Sequence, residues 1–168
     1  MLVAGPPGSG KSSLAVPLAS GLSLPLLAKD AIKDALIEVL GAPATVEHSR
    51  ALGRASVMAM LTVARTSRGA VLDSTFYPYT LPHLRALPGR LIEIRCVCQR
   101  EVVEARYRAR SGSRHAGYFD AERPAEELWN QHHLTPLGLG QVIEVDTSGQ
   151  VDVASVADQV RSALAGRR

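Results

Sequence analysis

Residues 5–13 read GPPGSGKSS. Gly5, a gap of four residues, then Gly10, Lys11 and Ser12 is a spacing that bends a backbone tightly around a polyphosphate. The amide hydrogens of Gly8, Ser9, Gly10, Lys11, Ser12 and Ser13 would converge as an anion nest. Pro6 and Pro7 carry no amide hydrogen and add nothing to it. A helix predicted to start near Lys11 turns its positive N-terminal end on the same anion. The Lys11 ammonium would then bridge β- and γ-phosphates, and the Ser12 hydroxyl would ligate Mg²⁺. The alternative is a glycine-rich turn that caps a helix.

Phosphoryl transfer needs an oxygen nucleophile in line with the γ-phosphate, a carboxylate to take its proton, and cations to neutralise the charge that develops. Two acids and several bases have the spacing for it. In LLAKDAIKDAL, Asp30 and Lys33 lie one helical turn apart on one face. In AVLDSTF, Asp73 closes an apolar run, and Ser74 follows it where hydrolytic ATPases carry a water-activating Glu. Arg106 and Arg110 are four residues apart and share a helix face, within a segment that also holds Arg100, Arg108 and Arg114. The base-reading Asn-Lys-x-Asp signature of switch GTPases is missing from the sequence.

Short β-like runs alternate with longer helical ones, the pattern of an α/β domain whose parallel sheet is covered on both faces. Strands are predicted at 2–4, 26–28, 70–72, 90–98 and 142–145. Helices are predicted at 11–22, 30–40, 45–68, 81–87, 99–110 and 153–165, with Pro17 a candidate kink in the first. In the long third helix, Ala51, Leu52, Ala55, Met58, Ala59 and Thr62 recur at three- and four-residue spacing and predict the core face. Asp30 then falls at a strand's carboxyl end, where open α/β sheets bind ligands. Asp at that position would serve equally as a helix N-cap.

The motifs GPPGSGKSS, KDAIK, VLDST and REVVEARYRARSGSRH follow one another in this order along most of the chain. In that order they resemble the small P-loop kinases of the polynucleotide kinase, chloramphenicol phosphotransferase and zeta-toxin group. The resemblance implies a three-layer P-loop fold with a five-stranded parallel sheet in the order 2-3-1-4-5 and a small lid near 106–118. It implies that Asp30 is the general base for an acceptor hydroxyl and that Lys33 contacts the transferring phosphate or the acceptor. Polynucleotide kinase has Arg at that second place, and Lys lacks its bidentate grip, which points to a different acceptor. It further implies that Asp73 holds a magnesium water or orients Lys33, against a plain turn-former. Arg106 would pack near the adenine or α-phosphate and Arg110 would reach the transferring phosphate, against a solvated basic helix. Thr147, Ser148 and Gly149 would border the base. The activity expected is an ATP- and Mg²⁺-dependent kinase acting on a small-molecule hydroxyl, a sugar, nucleoside or antibiotic. A 5′-hydroxyl polynucleotide kinase and a nucleotide-binding switch with little turnover are the alternatives.

Length and composition agree with one domain spanning residues 1–168: 168 residues, 46% of them hydrophobic, suffice for one well-buried core. A net charge of +3 suits an anionic ligand, but with 4% aromatics the chain offers few stacking platforms for nucleic acid, which is a less favoured partner. No apolar run approaches the ~20 residues of a bilayer span, and a cytoplasmic location without a membrane partner is expected. Cys96 and Cys98, two apart in a strand-like run, read as small buried hydrophobes on one face. The loop FYPYT (76–80) could line an acceptor pocket. His48, Arg50 and Arg54 are expected on a solvated helix face, and 111–117, which includes Arg114 and His115, is expected to be the mobile loop. Neither oligomeric state nor a preference between ATP and GTP is written in these residues.

Overall fold

The structure, a computed structural model, describes residues 1–112 and 114–166. Its strands are β1 (Leu2–Ala4), β2 (Leu26–Ala28), β3 (Val71–Asp73), β4 (Ile92–Val97) and β5 (Gln141–Asp146). They form one sheet, parallel at every pairing, in the order β2-β3-β1-β4-β5. The expected strand order is therefore the observed one. The helices are α1 (Lys11–Gly21), α2 (Lys29–Leu40), α3 (Val46–Thr66), α4 (Leu81–Arg85), α5 (Arg100–Ser111), α6 (Ala125–Leu128), α7 (Gln131–Leu134) and α8 (Val153–Ala165).

Alternate residues of a strand point to opposite faces, so a strand covered on both sides must be apolar throughout. β1 shows this: Val3 packs on one face with Leu14 and Leu18 of α1 and Val156 and Val160 of α8. Leu2 and Ala4 pack on the other with Val57, Met60 and Leu61 of α3 and Leu84 of α4. Cys96 belongs to the first of these cores, where burial pushes its thiol up to about 11 and keeps it protonated. Cys98 lies past the end of β4 and is only half-buried, so the two thiols do not share one buried face.

The third helix corrects the sequence reading. Its buried positions are Ser49, Ser56, Val57, Met60, Leu61 and Ala64, whereas Ala51, Ala55, Ala59 and Thr62 are exposed. Alanine and threonine carry too little apolar area to fix a face. The bulkier Val57, Met60 and Leu61 set the rotation of the helix, and the small residues fall outward.

Register brings the chemistry to one edge. Ala28 pairs with Asp73, and Asp73 pairs with Val3, so the carboxyl ends of β2, β3 and β1 lie side by side. The residues that follow them, Lys29 and Asp30, Ser74 and Thr75, and Gly5 onward, share that edge. The second helix starts at Lys29 with Ala28 as its N-cap and no side-chain cap bond, so Asp30 sits inside the first turn. The capping role open to Asp30 in the sequence is not realised.

Candidate active site

The phosphate-loop residues run from β1 into α1. Gly8 has φ 87°, and a Cβ there would come within 2.5 Å of the Val103 carbonyl oxygen of α5. Gly10 is the left-handed N-cap of α1, at φ 79°. Both positions need glycine for their conformation, and Gly8 also for its close approach. Ser9 differs from its neighbours: it is fully buried, its amide donates to the Pro6 carbonyl, and its own carbonyl accepts from the Thr147 hydroxyl at 2.7 Å. Ser12 and Ser13 are exposed on the first turn of α1.

Lys11 Nζ arches over the loop and donates to the Pro6 carbonyl at 2.9 Å. Burial pushes its pKa down against the pull of Asp73, Cys96 and Asp30, with Arg110 pushing the same way as burial. Asp73 is buried at the end of β3, and burial pushes its carboxyl above the usual range although the neighbouring Ser12 hydroxyl and the Lys11 charge both pull it down. A hydroxyl and a carboxylate held together beside a polyphosphate loop are the hard oxygen donors that Mg²⁺ takes, so Ser12 and Asp73 could hold that ion. No hydrogen bond joins Asp73 to Lys33, whose Nζ donates to the Ser49 hydroxyl instead.

On the far side of the loop, Arg106 donates to the carbonyls of Thr147 at 2.7 Å and Ser148 at 2.9 Å. With Gly10, Ser13, Gly149 and Val151 it lines a cavity of about 350 Å³ after β5. The residues expected to border a nucleotide base are thus gathered in one place.

A second cavity, of about 260 Å³, opens beside Pro7 of the loop. Asp30, Lys33 and Arg110 all line it. Asp30 Oδ1 accepts from Lys29 Nζ at 2.8 Å and Oδ2 from Arg114 Nη2 at 2.7 Å. Burial alone would raise this carboxyl, but Lys29 and Arg114 outweigh it and hold Asp30 well below the usual carboxylate range. Lys33 is 1% exposed. Burial, then the charges of Lys29 and Arg123, push its pKa down to about 8. Ser49 accepts from it at 2.7 Å and passes its own hydrogen to the Gly117 carbonyl at 2.6 Å. Arg110 lies over the Tyr107 ring at 5.5 Å.

Several residues of this cavity were not assigned to it from the sequence. Arg50 is half-buried in its wall, Arg54 borders it while exposed to solvent as expected, and His48 is exposed outside it. Ser49, Gly53 and Val57 turn that stripe of α3 inward, and Gly53 packs against Lys29, which carries the flanking arginines to the rim. Tyr77 and Tyr79, from the loop after β3, form a stacked pair with centroids 6.2 Å apart, while Phe76 of that loop is core. The segment after α5 supplies Arg114, Tyr118, Asp120, Arg123 and Glu127. Arg114 lies 3.5 Å over the Tyr118 ring and also bonds Asp120 at 3.1 Å, and Glu127 bonds both Arg50 at 2.7 Å and Arg123 at 2.8 Å. In this conformation Gly117 and Tyr118 are buried, with Gly117 against Pro43, so the packed part of the expected lid begins there. His115 accepts from the Gly117 amide and is exposed, and Ser113 lies outside the described residues. The Arg123–Glu127 spacing of four was the signal available for this segment.

A solved structure of a presumed kinase from Chloroflexus aurantiacus J-10-fl is 31% identical to this chain, covers 96% of it and 96% of its own length, and superposes with a TM-score of 0.84. This chain belongs to the P-loop kinase family. Two more distant structures share the fold of this P-loop kinase. A sugar kinase from Janibacter sp. HTCC2649 is 19% identical over 98% of the chain and 92% of its own, with a TM-score of 0.56. A gluconokinase from Sinorhizobium meliloti 1021 is 20% identical over 98% and 90%, with a TM-score of 0.53. No protein-family model and no curated protein matches the sequence. Among the described residues no helix is long and apolar enough to cross a membrane.

Proposed function

We propose that this P-loop kinase moves the γ-phosphate of ATP, with Mg²⁺, onto a hydroxyl of a small molecule held in the cavity beside Pro7. The observation that carries this reading is that Asp30, Lys33 and Arg110 line one cavity with Pro7, next to Pro6, whose carbonyl accepts from Lys11 Nζ at 2.9 Å. The charges of Asp30 and Arg110 both act on Lys11. The acceptor oxygen attacks the γ-phosphorus, the bond to the β–γ bridging oxygen breaks, ADP leaves, and the hydroxyl proton passes to Asp30. Lys11 holds the β- and γ-phosphates, Ser12 and Asp73 hold Mg²⁺, Arg110 and Lys33 meet the charge of the transferring group, and Arg106 lies at the nucleotide's α-phosphate and base end.

A base with so low a pKa takes a proton only late, once bonding to phosphorus has acidified the hydroxyl, which agrees with a loose transition state. Within the P-loop kinases the order of motifs is similar to the polynucleotide kinase, chloramphenicol phosphotransferase and zeta-toxin group. The small volume of the cavity, lined on one side by residues of the segment 114–128, favours a compact acceptor, and the distant fold neighbours make sugars the first class to try. Acceptor-dependent ADP release across polyols, sugars, nucleosides and 5′-hydroxyl oligonucleotides tests the proposal. Stimulation by a compact hydroxyl compound is expected. Stimulation by oligonucleotides alone, with turnover falling steeply as salt rises, would move the assignment to a polynucleotide kinase.

Two further outcomes follow from single residues. Arg110→Ala should lower kcat more than it raises the KM for ATP, because its charge matters most as the transferring group develops charge. Arg108, exposed on the other side of α5, should change little when truncated. Equal and small effects at both positions would reduce Arg110 to a solvated residue. In addition, kcat/KM for the acceptor reports the free enzyme and should fall above about pH 8, where Lys33 loses its proton. Lys33→Arg, charged throughout that range, should lose this alkaline limb, and a limb unchanged in the variant would assign it to another group.

A further inference from the structure

The charges around the acceptor cavity do not cancel. Seven guanidinium or ammonium groups line it against three carboxylates. Asp30 is taken by Lys29 and Arg114, Asp120 by Arg114, and Glu127 by Arg50 and Arg123. Lys33 remains with a neutral hydroxyl as its hydrogen-bond partner while 1% exposed. Arg54 meets no carboxylate among the described residues and borders the same cavity. Lys33 is thus buried with no carboxylate bonded to it among the described residues, which is costly, and Arg54, exposed at the rim of the cavity, leaves its charge free for an anion brought by the ligand.

The γ-phosphate answers for only part of this excess. Arg110 comes from α5, which packs against the phosphate loop where Val103 meets Gly8, whereas Arg54 comes from α3 and borders the cavity with Tyr77 and Tyr79 of the loop after β3. Arg54 lies one helical turn beyond Arg50, next to Gly53, where Lys29 packs. The stacked faces of Tyr77 and Tyr79 supply an apolar wall for a carbon skeleton on that same side.

From this we infer that the acceptor is itself an anion: a compact polyhydroxy compound bearing a carboxylate or a phosphate monoester, whose anionic group is read by Arg54. The inference rests on the kinase reading for the word acceptor, but the binding of the anion stands apart from turnover. Arg54 is a specificity residue here, and its effect falls on which compound is accepted.

The test uses matched pairs of probes, D-gluconate against D-sorbitol and D-glucose 6-phosphate against D-glucose, with kcat/KM measured for each. The anionic member of at least one pair should be preferred, and Arg54→Ala should cut that preference roughly 10- to 100-fold, the worth of one charge-assisted hydrogen bond. The loss should fall on KM, and Arg54→Lys should restore part of it, a rescue that a purely structural arginine would not give. Comparing the two pairs tells a carboxylate from a phosphate. Calorimetric titration of the same four probes into protein saturated with ADP and Mg²⁺ supplies the second arm. Binding of an anionic probe that Arg54→Ala weakens, without turnover, would keep the inference and remove the kinase reading. Turnover confined to neutral probes, or no binding of either anion, would overturn the inference, the former leaving the kinase reading intact.

Discussion

Asp30→Asn is expected to lower acceptor-dependent ADP release by roughly 10²- to 10⁴-fold, the range of positioned acid–base catalysis, with ATP affinity unchanged. The geometry makes the substitution a clean one. Ala28, not Asp30, caps α2, so no cap is lost. The carboxylate is 42% exposed and its pairs with Lys29 and Arg114 are part-solvated, so their loss costs little, about 0–1 kcal/mol each. The side chain keeps its shape and loses its charge, and with it the ability to take a proton. Near-wild-type turnover in a folded Asp30→Asn protein, with the melting temperature unmoved, would remove Asp30 from the chemistry and make Asp73 the next candidate. A collapse of melting temperature would instead show that the Lys29–Asp30–Arg114 cluster holds the fold.

Lys11→Ala is expected to weaken ATP binding and to reduce transfer by at least roughly 10²- to 10³-fold, the cost of removing one preorganised group that meets transition-state charge. Lys11 Nζ is held over the loop by the Pro6 carbonyl, and among the described residues the other lysines donate elsewhere, Lys29 to Asp30 and Lys33 to Ser49. Nucleotide affinity and turnover measured on the variant check this, and both remaining at wild-type levels would remove the phosphate-loop reading. Because α1 is anchored by Leu14, Ala15, Leu18 and Ala19 rather than by Lys11, the fold should survive the change.

These expectations begin in the sequence, and the reason is local. A phosphate loop needs glycine where the backbone turns left-handed, a lysine and a hydroxyl at fixed offsets, so its chemistry and its spelling coincide. The central strands β1 and β3 were readable because a strand buried on both faces is largely apolar, β4 and β5 because branched apolar residues recur in them between Glu93, Arg95 and Glu144, and the strand order followed from the resemblance. The acceptor cavity was much less legible. That Arg50 and the exposed Arg54 border the cavity was hidden because the rotation of α3 depends on what Val57, Met60 and Leu61 pack against, which is a fact about the sheet and not about the helix. The segment from 116 to 134 is built of one-turn helices held by Tyr118–Asp34, Arg114–Asp30 and Trp129–Pro7 bonds. Elements of three or four residues carry no periodicity, and partners 84 or 122 residues away leave no local signal.

The phosphorus balance of the reaction tests the kinase assignment most directly. With the acceptor that most stimulates ADP release, phosphorus NMR of the products should show one new phosphomonoester for each ADP formed and little inorganic phosphate. ADP accompanied by inorganic phosphate in equal amount, with no phosphomonoester, would make water the acceptor and contradict the assignment.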